Sequence, residues 1–162
     1  MEKNILITGA KMVLPHGIET GDLRISDGII SEISTKEKLE PRDNEYVHDA
    51  DGLHLLPGII DPQVHFRDPG QPEKEDLHTG SRAAASGGVT SLICTPNTNP
   101  PIDQPAIIHS IQRRAREIAL SKIFCTGCVT RNFEGKEICE LHLMKESGAV
   151  GVGADIRAVR GV

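Results

Sequence analysis

A chain of 162 residues has room for one ordinary domain, or for a small domain plus part of a larger one. Hydrophobic residues make up 38%, enough for a core, but one Tyr, three Phe and no Trp leave that core to Ile, Leu, Val and Ala. The net charge of −5, and a single basic run (Arg113-Arg114-Ala115-Arg116) with no aromatic residue interleaved, argue against a nucleic-acid surface and give that run to the wet face of a helix.

The chain lacks an apolar stretch long enough for a membrane span, and it opens without a charged-then-apolar leader, so a soluble cytoplasmic protein without a membrane partner is expected. In that compartment Cys94, Cys125, Cys128 and Cys139 stay reduced. Cys125-Thr126-Gly127-Cys128 has the CxxC spacing, but no second CxxC or HxxxH completes a zinc site. These thiols are expected in or beside a buried strand.

In chain order, residues 1–56 read as short strands with turns. Strands are expected at 4–7 and 11–14, split by Thr8-Gly9-Ala10 and closed by Pro15-His16-Gly17. Residues 22–25 alternate polar and apolar, Asp27-Gly28 signals a hairpin, and 29–33 follow. Residues 35–45 are charged without a period and read as a loop; 53–56 give one more short strand. The segment is a small β-sandwich-like domain, half of a sandwich.

From Pro57 onward strands alternate with helices. Strands are expected at 58–66, 89–94, 123–129 and 149–152. Helices are expected at 76–86, stopped by Gly87-Gly88; from Asp103 as cap, with Pro105 in the first turn and Ile107, Ile108, Ile111, Ala115 and Ile118 as apolar stripe; and at 136–146. The fold class is α/β with parallel strands and right-handed crossovers. Roughly 105 residues follow Pro57, room for about four of the eight units of a (β/α)8 barrel. A complete doubly wound sheet of four strands fits the local pattern equally well.

The richest segment is Leu56-Pro57-Gly58-Ile59-Ile60-Asp61-Pro62-Gln63-Val64-His65-Phe66-Arg67-Asp68-Pro69-Gly70. Alternation along a strand puts Asp61, Gln63 and His65 on one face and Ile60, Pro62, Val64 and Phe66 on the other, toward covering helices. A polar row facing inward is costly in an apolar core, whereas the C-terminal end of a barrel strand is where ligands bind.

This segment resembles the Pro-Gly-x-x-Asp-x-His-x-His-Phe-Arg-Glu-Pro-Gly signature of dihydroorotases, metal-dependent cyclic amidohydrolases. Thr79-Gly80-Ser81-Arg82-Ala83-Ala84-Ala85-Ser86-Gly87-Gly88-Val89-Thr90 and Pro96-Asn97-Thr98-Asn99-Pro100-Pro101-Ile102-Asp103 continue the likeness, which covers nearly the whole chain. The resemblance implies a composite β-domain joined to a (β/α)8 barrel, one or two divalent metals (usually zinc), and reversible cyclisation of carbamoyl aspartate to dihydroorotate in pyrimidine synthesis. By position it makes His65 a metal ligand, Arg67 the residue that holds the substrate carboxylate, and Asn97 its helper. A guanidinium suits a carboxylate because it can donate two parallel hydrogen bonds.

Two departures stand out. Gln63 occupies the place of the first metal His, and a Gln carbonyl is a poorer zinc ligand than imidazole. Asp155, in Gly153-Ala154-Asp155-Ile156, falls one residue later than the bridging carboxylate the resemblance expects. The resemblance places the remaining metal His residues and the general-base Asp on later barrel strands, so turnover by this chain alone is not expected, and an open half barrel is expected to associate, as a homo-oligomer, to aggregate, or to be a fragment of a longer chain. Loss of a metal His also suits an inactive dihydroorotase-like partner of aspartate transcarbamoylase. An allantoinase- or hydantoinase-like enzyme is a further alternative, disfavoured by Arg67 and Asn97. His16, His48, His54, His78, His109 and His142 are read as surface or packing residues.

Overall fold

The computed structural model describes residues 4–153. The chain forms two compact units, Met1–Pro57 and Gly58–Val162.

The first unit is one mixed sheet of β1 (Asn4–Leu14), β2 (Gly17–Ser26), β3 (Ile29–Ser34), β4 (Tyr46–Asp49) and β5 (His54–Leu55). The order is β3-β2-β1-β4, with β5 also on β1. β1–β2–β3 is an antiparallel meander, while β4 and β5 lie parallel to β1. The turn expected at Thr8-Gly9-Ala10 is instead a bulge inside one continuous strand, where the register shifts between Ile7 and Ala10. Gly9 takes a φ of +70°, and its N–H is held by the buried Asp22 carboxylate at 2.9 Å. At Asp27-Gly28 both residues have positive φ, as a tight hairpin turn requires. Ala10, Met12, Leu23 and Ala50 form the small core.

The loop at 35–45 has no hydrophobic period because polar contacts hold it. Asp22 accepts the Leu39 N–H at 2.8 Å. Buried Arg24 donates to Glu45 (2.8 Å), to the Glu40 carbonyl (2.6 Å) and to Glu32.

The second unit holds β6 (Ile59–Val64), α1 (Leu77–Ser86), β7 (Val89–Cys94), α2 (Pro105–Ile118), β8 (Lys122–Cys128), a 3-10 turn (Arg131–Phe133), α3 (Leu141–Glu146) and β9 (Ala149–Gly153). The four strands are parallel, in the order β6-β7-β8-β9. That sequential order, with no reversal, is the order of a (β/α)8 barrel; a doubly wound sheet reverses where its second half begins. The unit is a partial barrel.

Leu92, Cys94, Ile123 and Cys125 are buried in one core with Ile107, Ile108, Ile111 and Ala115 of α2. Ile118, expected to end that stripe, is 36% exposed. All four cysteines are buried, and none forms a disulfide among the described residues. Burial pushes the Cys94 thiol up to about 12, with neighbouring Cys125 adding to it, and Cys125 up to about 11. Cys94 and Cys125 are packing groups, poor nucleophiles at neutral pH.

α1 is capped by Asp76, which accepts the Thr79 N–H at 2.7 Å; that bond holds the Asp76 carboxyl below its ordinary range. The third expected helix is shorter than its pattern. Residues 136–140 are irregular in place of helical: the Glu137 carbonyl takes the Arg131 N–H and Ile138 bridges Thr130. Asp103 does not cap α2: its N-cap is Gln104, and the Asp103 carboxylate takes the Asn132 N–H at 3.1 Å.

Candidate functional site

The site is built where the parallel strands β6, β7 and β8 end and their loops meet. Stitches between the loops hold it. Asn99 N–H donates to Pro69 O (2.9 Å), Thr95 N–H to Val64 O (2.9 Å), Ile102 N–H to Pro96 O (3.0 Å) and Cys128 N–H to Ile102 O (2.7 Å). Gly70, at φ +113°, lies so close to the next loop that a Cβ would come within 2.2 Å of Asn99 O.

The expected alternation along β6 fails at its C-terminal end. Asp61 lies opposite Leu92 and Val64 opposite Cys94, so three steps on β6 match two on β7. Asp61 therefore pairs with buried Leu92, and the strict two-residue alternation from Asp61 through Gln63 is broken by the extra residue. Pro62 has no N–H for the ladder, and the Gln63 N–H turns back to Asp61 Oδ1 at 3.1 Å. Gln63 is exposed and does not line the cleft described next.

A polar cleft of about 400 Å³ is lined by Arg67, Gln71, Asn97, Thr98, Asn99, Pro101, Asn132 and Phe133. Arg67 and Asn97 thus face one cavity, although thirty positions apart in sequence. No carboxylate lines it, so Arg67 gives it a positive character. His65 lies just past β6, with Nδ1 2.9 Å from Thr95 Oγ1 and 3.1 Å from Asn97 Oδ1. It lines a second cavity of about 290 Å³, under α1, with Asp61 and Glu75.

Asp68 follows Arg67 directly and is 3% exposed. Its two oxygens accept from Nη1 and Nη2 of Arg114, each at 2.5 Å. Arg114 is therefore not on the wet face of α2: it turns in to clamp the loop that carries Arg67. The hydrogen bond to Asp68 raises its pKa against the opposing effect of burial.

Among the described residues no group of three His, Cys, Asp or Glu side chains is placed to hold a metal ion. His65 and Gln63 alone, one imidazole and one amide, do not fit zinc. Asp155 lies outside the described residues.

The "Dihydro-orotase-like" family model matches residues 52–160. The chain belongs to the dihydro-orotase-like family. A dihydroorotase of Geobacter sp. (strain M21) is 42% identical over 96% of this chain, and one of Carboxydothermus hydrogenoformans is 42% identical over 89%. The chain spans only 37% and 33% of those two relatives' lengths. Among solved structures, an L-hydantoinase from Arthrobacter aurescens superposes with a TM-score of 0.78 at 24% identity, over 91% of this chain and 32% of that one. At that identity the likeness speaks for the fold. Within this dihydro-orotase-like frame, sequence reasoning missed Thr95, Gln71, Asn132 and the Asp68–Arg114 clamp. Only Thr95 carried a signal: it is polar directly after the apolar run Leu92-Ile93-Cys94 that ends β7.

Proposed function

We propose that the chain supplies the N-terminal part of a dihydroorotase, and that its cleft recognises the carboxylate of dihydroorotate and of N-carbamoyl aspartate in pyrimidine synthesis. The observation that carries this reading is the convergence of Arg67 and Asn97 on one cleft without a carboxylate. Arg67 offers two parallel N–H donors to a planar anion, and Asn97 offers a neutral donor beside it. The hydrolytic centre needs ligands beyond His65. Zinc in the assembled enzyme therefore depends on residues outside the described ones. Among the described residues no helix is long and apolar enough to cross a membrane; a cytoplasmic setting is part of the proposal.

The test is titration of dihydroorotate, and of dihydrouracil as the same ring without the carboxylate, into the chain and its Arg67→Lys variant, followed by amide chemical shifts. Dihydroorotate is expected to bind in preference, and the lysine variant to lose about tenfold in affinity as the paired donors go. Equal binding of both rings would sink the reading.

A second reading is favoured by Gln63, which stands exposed where an imidazole donor is expected. It is an inactive dihydroorotase-like partner of aspartate transcarbamoylase. Copurification of that enzyme with a chain that never turns over dihydroorotate would support it.

A further inference from the structure

We infer that Asn132 is a specificity-determining residue of the proposed dihydroorotate cleft: its carboxamide reads the imide edge of the ring, opposite the carboxylate held by Arg67. The inference rests on the carboxylate reading for where the charged end of the ligand lies.

Three loops share the cleft. Arg67 follows β6, Asn97 follows β7 and Asn132 follows β8. In the sheet order β6-β7-β8, the loop of Asn97 stands between the other two. Neighbouring strands lie about 4.8 Å apart, so the loops of Arg67 and Asn132 leave the sheet about 10 Å apart. A ligand whose carboxylate rests on Arg67 and Asn97 therefore extends toward Asn132.

The polar groups of the cleft differ in what they leave open to a ligand. Gln71 Oε1 accepts from Lys74 Nζ at 3.1 Å, and the Thr98 hydroxyl donates to Pro100 O at 2.6 Å. Asn132 is exposed, and its carboxamide makes no hydrogen bond among the described residues. A carboxamide sets an acceptor beside N–H donors. The imide edge of dihydroorotate sets an N–H between two carbonyls, so one carboxamide can accept from that N–H and donate to a neighbouring carbonyl. The carboxylate end calls for a guanidinium; the imide end is neutral and calls for a neutral group of mixed character.

The backbone holds that carboxamide in place. Asn132 takes φ +51° and Phe133 φ +59°, two successive left-handed residues, neither of them glycine. Asparagine tolerates that region, but phenylalanine is strained there and stays only where its surroundings impose it. Asp103, on the loop that carries Asn97, accepts the Asn132 N–H at 3.1 Å. Thr130, 3% exposed, accepts the Gly135 N–H at 3.0 Å on its hydroxyl and the Phe133 N–H at 3.2 Å on its carbonyl. The Asn132 backbone is thereby tied to the loop of Asn97, and its side chain starts from a fixed point in the cleft.

The experiment titrates three ligands into the 162-residue chain, followed by amide chemical shifts. Dihydroorotate carries the carboxylate and the imide edge, dihydrouracil the imide edge alone, and cyclohexanecarboxylate the carboxylate alone on a six-membered ring. Asn132→Gly removes the carboxamide and accepts the left-handed backbone without strain; Asn132→Asp keeps the backbone and exchanges the N–H donors for a charge. Both variants are expected to weaken dihydroorotate and dihydrouracil about fivefold, while Asn132→Gly leaves cyclohexanecarboxylate within about twofold. Unchanged affinity for both imide rings in Asn132→Gly, or an equal loss for all three ligands, overturns the proposal. If dihydrouracil binds the parent chain as well as dihydroorotate does, and Asn132→Gly weakens both, the imide contact stands and the carboxylate reading falls. Binding of none of the three overturns both. Should the glycine chain fail to fold, the two imide ligands on Asn132→Asp decide the matter.

Discussion

At the scale of single residues, buried charge is where this chain commits most. Arg24, 2% exposed, sits between Glu45 and Glu32, and each removes the cost of burying the other. Burial by itself would raise the Glu45 carboxyl. The Arg42 backbone N–H and the Arg24 guanidinium outweigh it and hold that carboxyl below its ordinary range. A carboxyl depressed in the folded state stabilises the fold above its unfolded value of about 4.3, and that contribution is lost as pH falls through the folded value. Glu45→Gln is therefore expected to lower stability at neutral pH and to flatten the loss of stability between about pH 4 and the acid limit. Urea midpoints taken across that range check it; parallel curves for parent and variant would refute the pairing. None of this was legible in the sequence, where Glu45 closes a charged run without a period. Charge pairing depends on which strand the run returns to.

At the scale of elements, the three loops at the strand ends behave as one piece. Arg67 stands on a loop held from behind by the Asp68–Arg114 clamp and from the side by Gly70 against Asn99. Removing Arg114 leaves a buried carboxylate without its partner. A fully buried pair would lose about 3–5 kcal/mol; with the Arg114 side chain 39% exposed, Arg114→Ala should cost about 2 kcal/mol. Denaturant midpoints measure this, and a change below about 0.5 kcal/mol would mean the clamp is only a surface pair. The motif through Gly70 was readable as a chemical signature, and Arg67 and Asn97 were readable as candidates within it. Their partners were not. Arg114 lies in a run of basic residues at helical spacing, where one arginine turned inward looks like its exposed neighbours. The break in alternation at Pro62 was in principle readable, since proline cannot serve a ladder, but which neighbours share a face is fixed only by pairing with β7.

At the scale of the whole molecule, the parallel sheet has one covered face and one open face. Ile60, Phe124, Val150 and Val152 are 38–63% exposed, and among the described residues β6 and β9 each pair on one side only. Two open parallel edges beside an apolar face favour association. The 162-residue chain is expected to self-associate at micromolar concentration, and Val152→Lys with Ile60→Lys to shift it toward monomer. Sedimentation velocity would show this, and a monomeric parent chain would contradict it.

The sequence by itself determined the alternation of strands and helices, the β-rich segment before Pro57, and the family signature that names Arg67, Asn97 and His65. Those follow from periodicity and from residue types at fixed spacing, which are local. Only the tertiary structure decided that the four parallel strands run in sequential order, that Thr8-Gly9 is a bulge in place of a turn, that the alternation along β6 breaks after Asp61, and that Thr95, Asp68 and Arg114 hold the cleft. Those depend on strand order, register and burial, and each is settled by residues far apart in the chain competing for the same hydrogen bonds and the same buried space.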